Sequence, residues 1–145
     1  MFCVIQQALI NQDWVAKYYG VDSLEAFAFT MDLNGSIYIA GSVFNILTQY
    51  DYLVAKYDPS GNLLWAVTHN GSQNSYDAVL GIVVDNDGNA YVTGESENVG
   101  SGNDIVTIKY DLTGQQVWLN SFNSGGASID VGELIAIDNE GNLLL

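Results

Sequence analysis

Short apolar runs separated by polar turns recur along the chain, and five of the turns share one form: DLNG, DPSG, DNDG, DLTG and DNEG. No run has the 3.6-residue period of a helix, and Val, Ile, Tyr and Trp are prominent in them, so the pattern predicts strands. The first set falls at Glu25–Met31, Ser36–Ala40, Tyr52–Tyr57 and Asn62–Thr68, with a loop over residues 42–50 between its second and third members. The second falls at Asp77–Val84, Asn89–Thr93, Ile105–Tyr110 and Gln115–Phe122, with a flexible loop over 98–103. Before them, a weak apolar run at residues 2–10 and the stretch Trp14–Gly20 read as a hairpin.

The two sets are copies of each other. Asp32, Asp85 and Asp138 recur at a spacing of 53, as do Gly35, Gly88 and Gly141, which marks a structural period. Lys56, Tyr57, Asp58, Gly61 and Trp65 recur at the same spacing as Lys109, Tyr110, Asp111, Gly114 and Trp118, and Trp14 lies 51 before Trp65. In Tyr52–Tyr57, Leu53, Ala55 and Tyr57 share one face while Tyr52 and Val54 take the other, so both faces are apolar. A sheet stacked between two similar sheets buries both faces; a sheet of a two-layer sandwich buries one. Four antiparallel strands in about 50 residues, covered on both sides, describe a blade of a β-propeller. The expected fold is therefore all-β, a partial propeller of about three blade-equivalents: outer strands of an incomplete blade at 2–20, full blades at 24–69 and 76–122, and inner strands at 129–145.

These residues resemble the SBBP family of bacterial β-propeller repeats, whose pattern is D-x-x-G-x-x-Y-x-x-G followed by K-Y-D-x-x-G-x-x-x-W. The first motif is matched by Asp32, Gly35, Tyr38 and Gly41 and again by Asp85, Gly88, Tyr91 and Gly94; the second by the Lys56 to Trp65 and Lys109 to Trp118 sets. The resemblance implies an exported or surface-attached bacterial protein and carries no established activity or catalytic residue. A complete propeller has at least four blades. The remaining blades are expected from a longer chain or from self-association, in which residues 129–145 of one copy complete the strands at 2–20 of another and a dimer closes a six-bladed ring.

Charge narrows the partners. Three Lys and Arg residues stand against 17 Asp and Glu, a net charge of −14, so nucleic acid is excluded because almost no cation can replace phosphate counterions. The longest apolar runs fall far short of the roughly 20 residues of a membrane helix, so no membrane insertion is expected. Cys3 is the lone cysteine, and the opening MFCVIQQALI lacks the basic start and small-residue cleavage site of a signal peptide.

Candidate chemistry lies in the turns, the tryptophans and the positions where the repeats diverge. Oxygen-bearing residues such as Asp85 and Asp87 suit calcium, but the glycine stands fourth in these turns rather than sixth as in an EF-hand loop. An Asp that caps its own turn, with Gly supplying a positive φ, explains the same signature in every hairpin. Trp14, Trp65 and Trp118 could stack on a sugar or on pyrroloquinoline quinone, whose propellers carry a similar tryptophan motif. Their common place in the repeat favours wedges between blades. Glu95 and Glu97 stand where the preceding blade has Ser42 and Phe44. Paired carboxylates can serve glycoside hydrolysis, bind a cation or basic partner, or form a solvated loop edge. The sequence reading is a non-catalytic scaffold without a cofactor, binding protein or carbohydrate through rim loops at Phe44, Tyr50, Glu95, Glu97 and Asp104. The alternatives are a propeller hydrolase or lyase using rim carboxylates, and a small lectin assembled from several chains.

Overall fold

The computed structural model describes residues 23–145, so the hairpin expected at 2–20, with Trp14, lies outside the described residues. Among the described residues every regular element is a strand. Strands β1 (Leu24–Met31), β2 (Ile37–Asn45), β3 (Gln49–Tyr57) and β4 (Leu63–His69) form one antiparallel sheet in chain order. Strands β5 (Asp77–Val84), β6 (Ala90–Asn98), β7 (Gly102–Tyr110) and β8 (Gln116–Phe122) repeat it. The short β9 (Ser128–Ile129) runs parallel to the start of β7, and β10 (Ala136–Ile137) pairs with β11 (Leu143–Leu144). The architecture is that of a partial β-propeller.

Two expected loops are corrected. The segments 42–50 and 98–103 belong largely to strands: β2 pairs with β3 down to Asn45 opposite Gln49, and β6 with β7 down to Asn98 opposite Gly102. Phe44, Tyr50, Glu95, Glu97 and Asp104 thus stand on paired strands rather than in loops. The first reversal, Asn45–Gln49, carries no Gly or Pro, and its left-handed residue is Gln49 at φ 64°. Its one turn-type residue is Asn45, whose side chain accepts the Leu47 N–H at 2.9 Å.

The last glycine of the repeat motif has a steric cause. β1 bulges between Ala26 and Ala28, and β5 between Val79 and Gly81. The bulges press the strand carbonyls of Glu25 and Ala78 onto Gly41 and Gly94, where a Cβ would lie 1.9 Å from either oxygen. Only glycine admits that approach.

The core lies between the sheets. Ala40, Tyr52 and Val54 of the first face Val79, Val92, Val106 and Ile108 of the second, all buried. Each large apolar side chain removed from water there contributes about 1.5–3 kcal/mol. Polar tips reach backbone carbonyls across the interface: the Tyr52 hydroxyl to Val106 at 3.3 Å, Ser42 Oγ to Asp77 at 3.2 Å, and the Tyr38 hydroxyl to Gly88 at 3.0 Å. Trp65 donates Nε1–H to the Leu112 carbonyl at 3.0 Å and covers Gly114, whose Cβ would meet its ring at 2.9 Å. Trp65 is therefore a wedge between blades, lying edge-on to Tyr38 at 5.9 Å. Trp118 tilts over Tyr91 at 6.1 Å in the second blade.

Candidate functional site at the hairpin rim

The sheets have two chemically distinct ends. At one end stand the five Asp-to-Gly turns. In each, one carboxylate oxygen of Asp32, Asp58, Asp85, Asp111 or Asp138 accepts the backbone N–H groups two and four residues on, at 2.8–3.0 Å. Gly35, Gly61, Gly88, Gly114 and Gly141 close the turns at φ of 81° to 87°. The second oxygen of Asp85 accepts Asn89 Nδ2–H at 2.8 Å and the Tyr91 hydroxyl at 3.0 Å, so this carboxylate has four donors. Asp87 offers its backbone N–H to that turn. Among the described residues no group of three or more His, Cys, Asp or Glu is arranged to hold a metal ion. Lys56 and Lys109 are at this end as well: Lys56 lies 3.6 Å from Asp32 and 4.7 Å above the Tyr38 ring, and Lys109 lies 4.9 Å above Tyr91.

The opposite end is built by the β2–β3 and β6–β7 hairpins and by the inter-blade segment 70–76. Phe44 and Tyr50, paired across β2 and β3, meet edge to face at 5.3 Å, and Tyr50 meets Tyr76 at 5.8 Å. The three rings form a ladder from the first hairpin to the start of β5. Burial, with Glu95, Glu25 and Tyr50 nearby, raises the Tyr76 hydroxyl above its ordinary value, so it stays a neutral donor.

Close by, Gln49, Gln73, Asn74, Ser75, Glu97 and Asn98 line an open cleft of about 450 Å3. Ser75 Oγ–H donates to the Glu97 carboxylate across it. Gln49 and Asn74, at φ 64° and 50°, are the two non-glycine residues with positive φ among those described, and both line this cleft. Backbone strain in such residues is held in place by surrounding structure and gathers at functional sites.

The expected site residues separate here. Phe44, Tyr50 and Glu97 come together at the rim. Glu95 is half-buried and accepts Asn103 Nδ2–H at 2.5 Å. Asp104 is buried rather than presented to solvent: it accepts Asn98 Nδ2–H at 3.0 Å, Ser101 Oγ–H at 3.1 Å and Asn123 Nδ2–H at 2.6 Å, bracing the second hairpin. His69 closes β4 half-buried, 5.9 Å from the Tyr52 ring; burial pulls its pKa down against the opposing charges of Asp77 and Asp51. Burial raises Asp77 in turn, opposed by hydrogen bonds from Ser96 and the Gly71 N–H.

Sequence reasoning missed Tyr76, Gln49 and Asn74. Tyr76 directly precedes a strand and could have been found by asking which aromatic the hairpin ring would meet next. The positive φ of Gln49 has a signal only by comparison, since the equivalent residue of the next repeat is Gly102, at φ 78°.

Residues 71–99, which run from the inter-blade segment through β5 and β6, match the family model of the SBBP beta-propeller repeat. No curated protein gives a significant match to the chain.

Proposed function

We propose that this SBBP-type propeller segment is a non-catalytic binding scaffold whose rim takes a carbohydrate. The observation that carries the reading is the ladder Phe44–Tyr50–Tyr76 beside a cleft lined by two glutamines, two asparagines, Ser75 and Glu97. Aromatic faces stack on the C–H faces of sugar rings, while amides and carboxylates pair with adjacent hydroxyls. The cleft volume of about 450 Å3 lies within the usual range for small-ligand sites, roughly 300–1,000 Å3. The acidic balance favours a neutral or cationic saccharide over an anionic one, and no cofactor is needed for such binding.

An exported or surface setting, as the family resemblance implies, suits this ligand class. The remaining blades come from a longer chain or from a second copy. In support, Phe29 and Met31 on the first sheet are 79% and 64% exposed, which marks a face that a further blade would cover. The test is a glycan array read with the chain, followed by calorimetric titration of any hit against Tyr50→Ala and Tyr76→Ala. A neutral or amino-sugar hit whose affinity falls about tenfold or more in both variants supports the reading. Binding that ignores both substitutions, or capture of a polypeptide with no glycan hit, sinks it.

A further inference from the structure

The two blades contain the same carboxylate pocket twice, and only one copy is satisfied. In the second blade Asp104 takes donors on both oxygens, with Asn123 Nδ2–H on Oδ1 at 2.6 Å. The residues at the same repeat positions in the first blade are Asp51, Thr48, Asn45 and Asn70. Thr48 Oγ1–H donates to Asp51 Oδ2 at 2.7 Å, as Ser101 does to Asp104. The other two donors have turned elsewhere. Asn45 accepts the Leu47 N–H through its own Oδ1 at 2.9 Å, and Asn70 donates to Asn74 Oδ1 at 2.7 Å. Asp51, 6% exposed, is left with Oδ1 buried and without a partner.

The missing donor is close. Tyr52 is opposite His69 in the β3–β4 register, so Asn70 follows directly across from Asp51, as Asn123 does from Asp104 beyond the Ile105–Phe122 pair. The frame around it is the same in both blades: the Gly71 N–H is held by Asp77 at 2.7 Å and the Ser124 N–H by Asp130 at 2.9 Å. What differs is Asn74, a left-handed residue whose side chain captures Asn70. Ala127 has the equivalent position and offers no side-chain acceptor.

We propose that Asn70 is a two-position switch: bonded to Asn74 it holds the cleft wall 70–76 in its strained form, and turned onto Asp51 it satisfies the buried carboxylate and releases Asn74. Asn70 is thus a positioning residue, acting on the cleft through Asn74. Its consequence for ligand affinity rests on the rim reading; the switch itself does not. The observed position leaves a buried oxygen without a donor, and the other position supplies one at the expense of the Asn70–Asn74 bond. A ligand that takes the Asn74 amide for itself frees Asn70 to move.

The experiment is a set of thermal melts on the full chain that needs no ligand. Asp51→Asn replaces a carboxyl group that has one buried oxygen without a donor and is expected to raise Tm by about 2–4 °C, whereas Asp104→Asn lowers it by at least as much. In the Asn74→Gly background, Asn70 is free to donate to Asp51, so Asp51→Asn now lowers Tm. This reversal of sign is the signature of the switch. The same sign of Asp51→Asn in both backgrounds overturns it. The side-chain NH2 resonances of Asn70, followed by NMR, give a second readout that stands even if Asp104→Asn fails to fold. They are expected to shift in Asn74→Gly and to shift again, to a third position, on adding Asp51→Ala; unmoved resonances also overturn the proposal. A missing glycan hit would remove the rim reading and leave these outcomes unchanged.

Discussion

At one end of the sheets five turns repeat the same pair of hydrogen bonds within 2.8–3.0 Å. At the other end the backbone path also repeats, with Gln49 and Gly102 both left-handed, but apart from the buried Asp and its donors the residues along it do not. NILTQ and NVGSG trace the same hairpin with almost no shared side chains. Where sequence and geometry persist together, a local requirement accounts for both: an Asp satisfying two N–H groups and a Gly supplying the φ that other residues avoid. Where geometry persists while residues change, and a glutamine replaces the comfortable glycine, the side chains answer to something other than folding. That difference directs attention to the rim.

The largest effect that tests this contrast is Gly114→Ala. It forces a side chain into φ 87° and places its Cβ 2.9 Å from Trp65, so stability should fall by about 2–4 kcal/mol in urea melts. A neutral result would break the claim that the turn end is dictated by geometry. Asp85→Ala removes four accepted hydrogen bonds and should cost about 1–3 kcal/mol, measured the same way.

Acid sharpens the same point. Hydrogen bonds from the Asn62, Thr113 and Asn142 side chains lead in lowering Asp58, Asp111 and Asp138. In Asp32 and Asp85 burial opposes but hydrogen bonds led by Ser36 and Asn89 prevail. Lowered carboxylates stabilise the fold above their unfolded value of 3.8, and that contribution drains away as pH falls from there through the folded values. Asp77, raised by burial, acts oppositely: its protonated form suits the fold, so it loses stability as pH rises from 3.8 towards its folded value. Asp130 is lowered as well, by hydrogen bonds from Ser124; with six lowered carboxylates against one raised, melts should show a net loss of stability below about pH 4, reduced in Asp85→Ala.

Smaller effects belong to the rim. Gln49→Gly relieves a left-handed side chain and should raise Tm by about 1–2 °C while weakening rim binding. A gain in both would remove the reason for keeping a glutamine there. Smallest of all, millimolar calcium should move Tm by less than about 1 °C, since the turn carboxylates already accept local donors; a larger rise would reassign Asp85 and Asp87 as ligands.

The strands were legible because short runs rich in Val, Ile, Tyr and Trp, set between Asp-to-Gly turns, and a 53-residue echo are written in the side chains themselves. The placement of the wedge was legible for the same reason, since Trp65 keeps its position in the repeat. The extension of β2 and β3 through 42–50 was not, because Gln49 takes the glycine conformation without being glycine. The burial of Asp104 was legible only through the repeat: its donors Asn98, Ser101 and Asn123 are ordinary surface residue types, and what marks them is their recurrence as Asn45, Thr48 and Asn70 around Asp51. Local chemistry leaves a mark in sequence; a buried polar bond between distant segments leaves one only when the whole group is repeated.

The seating of Trp65 on Gly114 also sets an order in time. During synthesis the indole emerges 47 residues before the Leu112 carbonyl that receives its N–H, which at about 5–20 residues per second is a wait of roughly 2–9 s. Through that interval the nascent blade carries an uncapped aromatic on its outer strand. The first blade thus emerges with its fastener ready, and the catch is made only once the turn at Leu112 has been synthesised.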